Sequence, residues 1–289
     1  MRFLFTSDIH ASYDHLFSML KKAEKKSVDA VVIGGDIVPH YLPDFDLNDI
    51  LTAQANYLKK IFIPAIESFK AQNRTKIYLD MGNDDFITGR KFLENQQGKL
   101  FELLHMQLHP FTDKVDIAGY MAVAPTPFGR KDWEKPDCKK QTFAPGNLIS
   151  IKGVVSRKGF LEKTVIDLNS EDSIEADLRL LGEKISRPFI FVSHIPPYNT
   201  SLDVMHNDDH VGSLAVREFI EKWSQKKYLI GSFHGHIHES PHRTGSIMTV
   251  IHNTPCFNPG QENGLGSRFR YILLSLKDEK LKYLRSFFR

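Results

Sequence analysis

The sequence predicts an α/β fold built around a parallel sheet. Short apolar runs typical of strands alternate with longer segments in which apolar residues recur every three or four positions, as on one face of a helix. This alternation is typical of βαβ units, in which a helix connects two parallel strands. With 289 residues, the chain is long enough for one large domain or two small ones, with a sizeable buried core.

The first 85 residues carry the clearest alternation. We expect strands at residues 3–5, 31–33 and 77–79, and helices near residues 13–26 and 48–71. In the first helix the apolar residues recur at helical spacing, so its cluster of lysines is expected on the solvated face. These elements predict two βαβ units in succession.

The alternation is interrupted between residues 104 and 170. Residues 104–124 indicate strands without an intervening helix, because apolar residues alternate along positions 116–124. Residues 125–170 contain several prolines and glycines among charged residues, which is typical of loops. We therefore expect residues 125–170 to form an insertion loop or a lid rather than core.

The alternation resumes after residue 170. We expect a helix near 171–185, a strand at 189–192, a helix near 213–224 and a strand at 228–230. The C-terminal part is β-rich, with a strand at 247–251 and two runs at 271–276 and 281–287 around a charged turn. The end of the chain is therefore expected to consist of strands.

Composition and charge exclude several classes of protein. Hydrophobic residues make up 41% and charged residues 25% of the chain, which argues against fibrous, coiled-coil and disordered proteins. No apolar run is long enough for a membrane span, and the N-terminal apolar stretch is too short for a secretory signal, so we expect a cytoplasmic protein. A net charge of +3 gives no strong nucleic-acid signature. The sequence carries no indication of oligomeric state.

Side chains that commonly bind metals follow five of the expected strands. In α/β sheets, sites form at the carboxyl ends of the strands, so we expect these side chains to meet at one sheet edge. Together they supply oxygen and imidazole ligands for more than one divalent ion. In chain order they are Asp8 and His10, Asp36, Asn83 with Asp84 and Asp85, His194, and His236 with His238.

The local spacing supports convergence on a common site. Residues two apart in an extended segment point to the same side, so Asp8 and His10 can share one ion, as can the two histidines of Gly-His-Ile-His. Glycines directly before Asp36 and Asn83 allow tight turns, in which these side chains approach an ion lying close to the backbone. If these residues were only a solvated rim of ordinary turn residues, nothing would explain why a glycine precedes both Asp36 and Asn83.

Taken in order, these residues form the motifs D-x-H, G-D, G-N-x-D, a single His and G-H-x-H. Each motif arises by chance on its own, but five in order behind five strands are a specific signal. The set resembles the calcineurin-like metallophosphoesterase superfamily, and the resemblance extends from residue 8 to residue 238. It implies one domain over residues 1–289, folded as a four-layer αββα sandwich of two mixed sheets flanked by helices.

The resemblance also implies a two-metal site and the chemistry that goes with it. Two divalent ions about 3.5–4 Å apart lower the pKa of a bridging water, orient a phosphate and neutralise the departing oxygen. Manganese, iron, zinc, cobalt and nickel are all compatible as cofactors. By motif position, one ion would be held by Asp8, His10 and His238, the other by Asn83, His194 and His236, and Asp36 would bridge the two.

One position departs from the commonest family pattern. Many members have histidine in the slot held here by Asp84, where it can act as an acid toward the leaving group, but this chain has Gly-Asn-Asp-Asp. A carboxylate is normally ionised near pH 7, so Asp84 does not simply inherit that role. A nearby phosphate would raise its pKa and the cations would lower it, which leaves a role as proton donor open. Asp85 is expected to orient a neighbouring group.

Arg130 and His210 are candidates for substrate binding. Arg130 lies in the proline-rich stretch, and a guanidinium suits phosphate, although a solvated loop arginine fits the sequence equally. His210 precedes the expected helix near 213–224, and a plain surface histidine is an equal alternative.

Trp133 is either a lid aromatic or a packed loop anchor. His234 is expected to pack in the core or support a ligand, because it faces away from the G-H-x-H pair.

These observations predict a metal-dependent phosphohydrolase in which a metal-bridging hydroxide attacks phosphorus. Substrates with a good leaving group need an acid least, so Asp84 favours a phosphodiester or pyrophosphate-type bond in a small phosphate-ester substrate. Two alternatives stay open: a phosphomonoesterase, including a protein phosphatase, and a non-catalytic scaffold that binds a phosphorylated ligand. The complete set of expected ligands argues against the scaffold.

Overall fold

The computed structural model describes residues 1–40, 46–139, 149–262 and 267–286. In the N-terminal half the elements are β1 (Arg2–Thr6), α1 (Tyr13–Lys25), β2 (Ala30–Ile33), α2 (Leu47–Tyr57), α3 (Ile63–Gln72), β3 (Lys76–Leu79), α4 (Arg90–Glu94), β4 (Glu102–Leu103), β5 (Leu108–Pro110) and β6 (Asp116–Tyr120). The remaining elements are β7 (Lys152–Arg157), β8 (Phe160–Val165), α5 (Ile174–Glu183), β9 (Phe189–Ser193), α6 (Leu214–Gln225), β10 (Leu229–Phe233), α7 (Ser240–Thr244), β11 (Met248–Ile251), β12 (Thr254–Phe257), β13 (Ile272–Lys277) and β14 (Lys280–Ser286).

The strands of the described ranges form two six-stranded sheets and a separate hairpin of β7 and β8. The first sheet has the order β14-β13-β1-β2-β3-β4, and the second has the order β11-β12-β10-β9-β6-β5. Strands β1 to β4 are parallel, whereas β13 runs antiparallel to its neighbours β1 and β14. In the second sheet β12, β10, β9 and β6 are parallel, with β11 and β5 antiparallel at the edges. The predicted α/β class and the two mixed sheets are confirmed.

Aromatic side chains pack the two sheets face to face. The ring of Phe233 on β10 lies 5.6 Å from that of Phe3 and 5.1 Å from that of Phe5, both on β1. These three rings are fully buried, so the interface between the sheets is the centre of the larger core. On the outer face of the second sheet, Phe189 of β9 packs edge-on against Trp223 of α6 at 5.6 Å.

The helices cover the outer faces of both sheets. Helix α1 buries a stripe at helical spacing against the first sheet, whereas its lysines point to solvent as predicted. The expected helix near 48–71 is a continuous run of α2, a π-helical turn over Leu58–Phe62, and α3. Helices α5 and α6 cover the second sheet. The layers are therefore helix, sheet, sheet and helix, as the family resemblance implied.

The stretch 125–170 differs from the prediction of an insertion loop. Strands β7 and β8 form a hairpin there, and residues 129–131 extend it, because Lys131 N donates to Val154 O at 2.9 Å and Val154 N donates to Gly129 O at 2.8 Å. Glycines and charges along the hairpin obscure the alternation on which strand prediction depends. Residues 140–148 of the expected lid lie outside the described ranges, as does residue 287 of the last expected strand.

None of the described helices has the length and apolar character that crossing a membrane requires.

Candidate metal centre

The side chains predicted as metal ligands all follow the carboxyl ends of central strands. Strands β1, β2 and β3 are in register at Thr6, Ile33 and Leu79, so the chain leaves the first sheet at one level. In the second sheet, Val192 of β9 pairs with Phe233 of β10 at the corresponding ends. The loops after these five strands therefore meet at one edge of the two packed sheets.

A first group of candidate ligands is formed by Asp8, His10, Asp36 and His238, whose ligand atoms all lie within 4.8 Å of one another. Nε2 of His238 is 3.2 Å from Oδ1 of Asp8 and 3.3 Å from Nε2 of His10. Nε2 of His10 is 3.7 Å from Oδ2 of Asp36. The group is buried except at His238. Two carboxylates and two imidazoles are ligands suited to a borderline divalent ion.

A second group lies on the other side of Asp36. Nε2 of His194 is 2.9 Å from Oδ1 of Asn83 and 3.3 Å from Oδ2 of Asp36. On the opposite side of the ring, Nδ1 of His194 is 2.8 Å from the carbonyl oxygen of Gly34. A carbonyl only accepts hydrogen bonds, so it holds one proton on Nδ1. Without a cation, Nε2 carries a second proton and donates toward the two oxygens; a bound cation would replace that proton and take Nε2 and the oxygens as ligands.

His236 completes the predicted set. Its backbone N–H donates to Oδ1 of Asp8 at 3.0 Å, and its ring centroid lies 5.3 Å from that of His194. His236 is thus hydrogen-bonded to the first group through its backbone, and its ring lies beside the His194 ring of the second group. The structure brings all seven predicted ligands together.

Four of the seven candidate ligands have unusual backbone conformations. The φ angles of Asp8, His10, Asp36 and His236 are 58°, 44°, 51° and 66°. Residues other than glycine pay about 1 kcal/mol or more for this left-handed conformation. Such strain persists where the surrounding structure determines it, and it clusters at functional sites.

The charges of the centre are strongly coupled. Burial lowers the pKa of His194, but the carboxylates of Asp36 and Asp8 outweigh burial and raise it to about 10. In the same way, Asp8 raises the pKa of His238 to about 9 against the effect of burial. Burial and, to a smaller extent, the nearby His194 lower the pKa of His236 to about 3. The buried carboxylates therefore require positive charge beside them, from protonated imidazoles or from bound cations.

Asp85 ties two of the ligand-bearing loops together. Its fully buried carboxylate accepts hydrogen bonds from the backbone N–H groups of Ile37 at 3.0 Å, Val38 at 3.0 Å and Gly82 at 2.9 Å. These contacts join the turn after Asp36 to the turn before Asn83. The orienting role predicted for Asp85 agrees with these contacts. Its own backbone oxygen accepts from Nε1 of Trp133 at 2.9 Å, which makes Trp133 a buried anchor rather than a lid aromatic.

Asp84 contacts both the predicted centre and Arg130. Its Oδ1 accepts from Nη2 of Arg130 at 2.6 Å, and its Oδ2 lies 3.9 Å from Nδ1 of His10. Nη1 of Arg130 donates to the backbone oxygen of His40 at 2.7 Å. Burial and the charge of Asp36 raise the pKa of Asp84 above its ordinary value, although Arg130 opposes them. Arg130 is therefore part of the site and not a solvated loop residue.

His210 lies in a neighbouring turn. Its Nδ1 is 2.8 Å from Oδ1 of Asp203, a fully buried carboxylate that holds the imidazole in one orientation. The turn is joined to the segment after His238 because Val204 N donates to the hydroxyl of Ser240 at 2.9 Å. Within the described ranges, no hydrogen bond or ion pair links His210 to the candidate ligands. The structure thus places His210 in a turn that is joined to the segment after His238, without a contact to the candidate ligands.

Comparison with known families agrees with this geometry. A family model described as calcineurin-like phosphoesterase matches residues 1–240, a range that includes every candidate ligand. The chain belongs to the calcineurin-like phosphoesterase family. The resemblance inferred from the five ordered motifs is confirmed.

Individual relatives of this calcineurin-like phosphoesterase are distant. An uncharacterised Methanocaldococcus jannaschii protein, MJ1162, is 38% identical over 74 residues, which are 25% of this chain and 31% of that protein. The crystal structure of TT1561 from Thermus thermophilus aligns with a TM-score of 0.56 at 16% identity, covering 98% of both chains. A dimetal phosphatase from Danio rerio aligns with a TM-score of 0.54 at 11% identity, covering 99% of this chain and 98% of its own. At these identities the structural matches show the fold.

The donor set fits the divalent metals that calcineurin-like phosphoesterases normally bind. Carboxylate, amide and imidazole groups face one another in two groups that share Asp36, and Gly34 O fixes the tautomer of His194. Nδ1 of His10 is buried without a hydrogen-bond partner among the described residues. Family membership and this geometry together support a metal-dependent phosphoesterase.

Sequence reasoning missed two contributors to the centre of this phosphoesterase. The ring of His40 lies 4.1 Å from that of His10, and one ligand atom each of His40, His10 and Asp84 fall within 4.8 Å of one another. Gln54 on α2 donates through Nε2 to the backbone oxygen of Asp84 at 2.8 Å. His40 follows Asp36 by only four residues, which is the signal that was available. His234, which was expected to pack in the core or to support a ligand, is buried, and its Nδ1 lies 3.1 Å from Ser193 O, directly before His194.

Proposed function

We propose that the protein is a hydrolase with a dinuclear metal site that cleaves phosphodiester or pyrophosphate-type bonds. The observation that carries this proposal is the position of Asp36, whose Oδ2 lies 3.7 Å from Nε2 of His10 and 3.3 Å from Nε2 of His194. One carboxylate within reach of both ligand groups suits two ions held side by side. We assign Asp8, His10 and His238 to one ion, and Asn83, His194 and His236 to the other.

When bound, two divalent ions supply a water of lowered pKa and offset the negative charge of the phosphate. The chain's own residues orient and enclose this chemistry. Gly34 O holds a proton on Nδ1 of His194, so Nε2 is the nitrogen that would give up its proton to a cation. Nδ2 of Asn83 lies 3.4 Å from Oδ1 of Asp84, which turns the Asn83 oxygen inward. Arg130 offers a guanidinium at the edge of the centre, where a phosphate oxygen can bind. Asp84 lies between this guanidinium and His10, beside the substrate phosphate.

Asp84 favours a diester over a monoester as substrate. Family members with histidine in this slot can protonate the leaving oxygen, whereas the Asp84 carboxylate accepts a hydrogen bond from Arg130. A bond whose leaving group departs without a proton depends least on an acid at this position. Phosphodiesters of acidic alcohols and pyrophosphate-type bonds belong to that class.

Further parts of the proposal rest on the sequence and on the position of single residues. We propose that His210, oriented by Asp203, lines the substrate cleft beside His238. Two ions drawn from manganese, iron, zinc, cobalt and nickel, a cytoplasmic location and one domain over residues 1–289 also stay predictions. The substrate is expected to be a small phosphate ester.

The test uses protein stripped with a chelator and reloaded with manganese. Hydrolysis of an aryl phosphate diester and an aryl phosphate monoester is measured for the wild type, for Asp36→Asn and for Asp116→Asn. Asp116 lies at the opposite end of the second sheet and pairs with Arg187, so its variant controls for loss of a charge. We expect diester hydrolysis by the wild type and Asp116→Asn, and loss of at least a hundredfold in Asp36→Asn.

The outcomes separate the alternatives. A preference for the monoester in the wild type would favour a phosphomonoesterase. No hydrolysis of either substrate by protein shown to contain two metal ions per chain would favour a scaffold that binds a phosphorylated ligand. Equal hydrolysis by wild type and Asp36→Asn would contradict the assigned metal centre.

A further inference from the structure

We propose that the Asp84–Arg130 ion pair sets the preference of the centre between phosphate charge states, because Asp84 compensates a guanidinium that would otherwise favour a doubly charged monoester over a singly charged diester. The inference rests on the proposed phosphoesterase function and assigns its specificity to one pair of residues. Oδ1 of Asp84 and Nη2 of Arg130 are 2.6 Å apart, and the two side chains are 13% and 10% exposed. Charges so well shielded from water act on their surroundings more strongly than surface charges do.

Both partners are held by structured segments. Arg130 belongs to the short stretch that pairs with β7, where Lys131 N and Val154 O are 2.9 Å apart. The backbone oxygen of Asp84 accepts from Gln54, and the backbone N–H of Asp84 donates to Oδ1 of Asp36 at 2.9 Å. The second attachment joins Asp84 directly to the carboxylate that connects the two ligand groups. The ion pair is therefore fixed in position relative to the proposed metals.

Two of the five N–H donors of Arg130 are used within the protein. Nη2 donates to Asp84 and Nη1 donates to His40 O, while Nε is buried without a hydrogen-bond partner among the described residues. The positive charge of the guanidinium is therefore compensated by the carboxylate beside it. An uncompensated arginine would attract the second negative charge of a phosphate strongly, but this pair contributes almost no net charge.

The remaining oxygen of Asp84 lies next to His10. Oδ2 is 3.9 Å from Nδ1 of that ring, whereas the other ring nitrogen, Nε2, contacts Asp36 and His238, so the ion pair borders the first ligand group. A phosphate monoester carries close to two negative charges above pH 7, whereas a diester carries one. Because Asp84 compensates the guanidinium, the pair gives the second charge of a monoester no net attraction. Removal of either partner leaves the other charge unopposed, and at several ångströms and an effective dielectric constant of about 20 such a charge accounts for about a tenfold difference.

The test compares aryl monoester and diester hydrolysis with one leaving group, at pH 8, with manganese-loaded protein. Asp84→Asn keeps the shape of the side chain and removes its charge, so we expect the monoester-to-diester ratio of kcat/KM to rise about tenfold. Arg130→Gln removes the compensating charge, so the same ratio is expected to fall about tenfold. Asp84→Glu keeps the charge and should keep the preference for the diester. Asp116→Asn, which breaks another Arg–Asp pair, should leave the ratio unchanged.

The opposite directions distinguish a charge effect from structural damage, because damage would lower both activities in both variants. An unchanged ratio in Asp84→Asn, or a shift in the same direction in both variants, would overturn the inference. A wild type inactive on both substrates would instead refute the proposed function. Binding then supplies the test: calorimetry with inorganic phosphate should show about tenfold tighter binding to Asp84→Asn than to wild type, with diester binding unchanged. Equal phosphate affinities would overturn the inference in that case too.

Discussion

Gly82 lies so close to Asp36 that a Cβ atom on Gly82 would come within 2.2 Å of Oδ1 of Asp36 and 2.6 Å of its backbone nitrogen. The turn that presents Asn83 therefore closes directly over the carboxylate that connects the two ligand groups. The lack of room for any side chain at this position explains the glycine in the G-N-x-D motif. It also shows that the ligands from neighbouring strands depend on one another for position.

We expect Gly82→Ala to disrupt the metal centre. The added methyl group must displace Asp36 or the Asn83 turn, and overpacking of this kind costs about 1–3 kcal/mol. Metal content by mass spectrometry should fall below one ion per chain, and the melting temperature should fall with it. Gly182→Ala is the matched control. Gly182 lies in helix α5, and a Cβ atom there would come no closer than 3.5 Å to its neighbour Trp223, which is an ordinary van der Waals contact. That control should bind metal normally and gain about 0.5–1 kcal/mol in helix stability. Normal metal content in Gly82→Ala would contradict the close contact.

Asp85→Asn tests the link between the two loops. The amide replaces one of the oxygens that accept backbone N–H groups from Ile37, Val38 and Gly82, so the ligand turns should loosen. Loss of such supporting contacts commonly weakens metal binding by about 10–100-fold, and we expect a value in that range. Competition of manganese with a chelator measures the change.

A second buried carboxylate provides the control for Asp85. Asp137 accepts backbone N–H groups from Leu214 at 2.8 Å and Ala215 at 3.2 Å at the start of α6, away from the candidate ligands. Asp137→Asn should lower the free energy of unfolding without changing metal affinity. If both variants lost metal affinity equally, the specific role of Asp85 would be disproved.

His105 should make the protein sensitive to acid. Its Nδ1 accepts a hydrogen bond from Met121 N at 3.0 Å, which requires a neutral imidazole, and burial lowers the pKa of His105 to about 4. Between pH 6.5 and 4 the unfolded chain binds a proton that the folded chain does not, so the stability falls as the pH falls. From pH 7 to pH 5 the expected loss is about 2 kcal/mol.

Urea unfolding at the two pH values measures this loss. The change between pH 7 and pH 5 should be about 2 kcal/mol smaller in His105→Gln than in wild type, because the variant has no titrating group at this position. The comparison cancels the contribution of the histidines of the metal centre, which both proteins share. An identical change in both proteins would show that folding does not lower the pKa of His105.

The sequence predicted the ligands better than their surroundings for a physical reason. Asp8, Asp36 and His194 follow apolar strands, and the strand pattern alone places the ends of parallel strands at one sheet edge. The partnership of Asp84 with Arg130 joins positions 46 residues apart through an irregular segment, which no periodicity describes. The hairpin of β7 and β8 was missed for the same reason, since its strands are largely exposed and carry no clear alternation of apolar residues.

Metal removal should destabilise the protein through the same buried charges. Without cations, the carboxylates of Asp8 and Asp36 depend on protonated His194 and His238, whose raised pKa values reflect that dependence. A ligand present at a thousand times its dissociation constant stabilises the folded state by about 4 kcal/mol. Addition of a chelator should therefore lower the melting temperature by several degrees, and manganese should restore it. Asp36→Asn should show little response to either addition, whereas Asp116→Asn should respond as the wild type does. A chelator response of full size in Asp36→Asn would place the bound metal elsewhere in the chain.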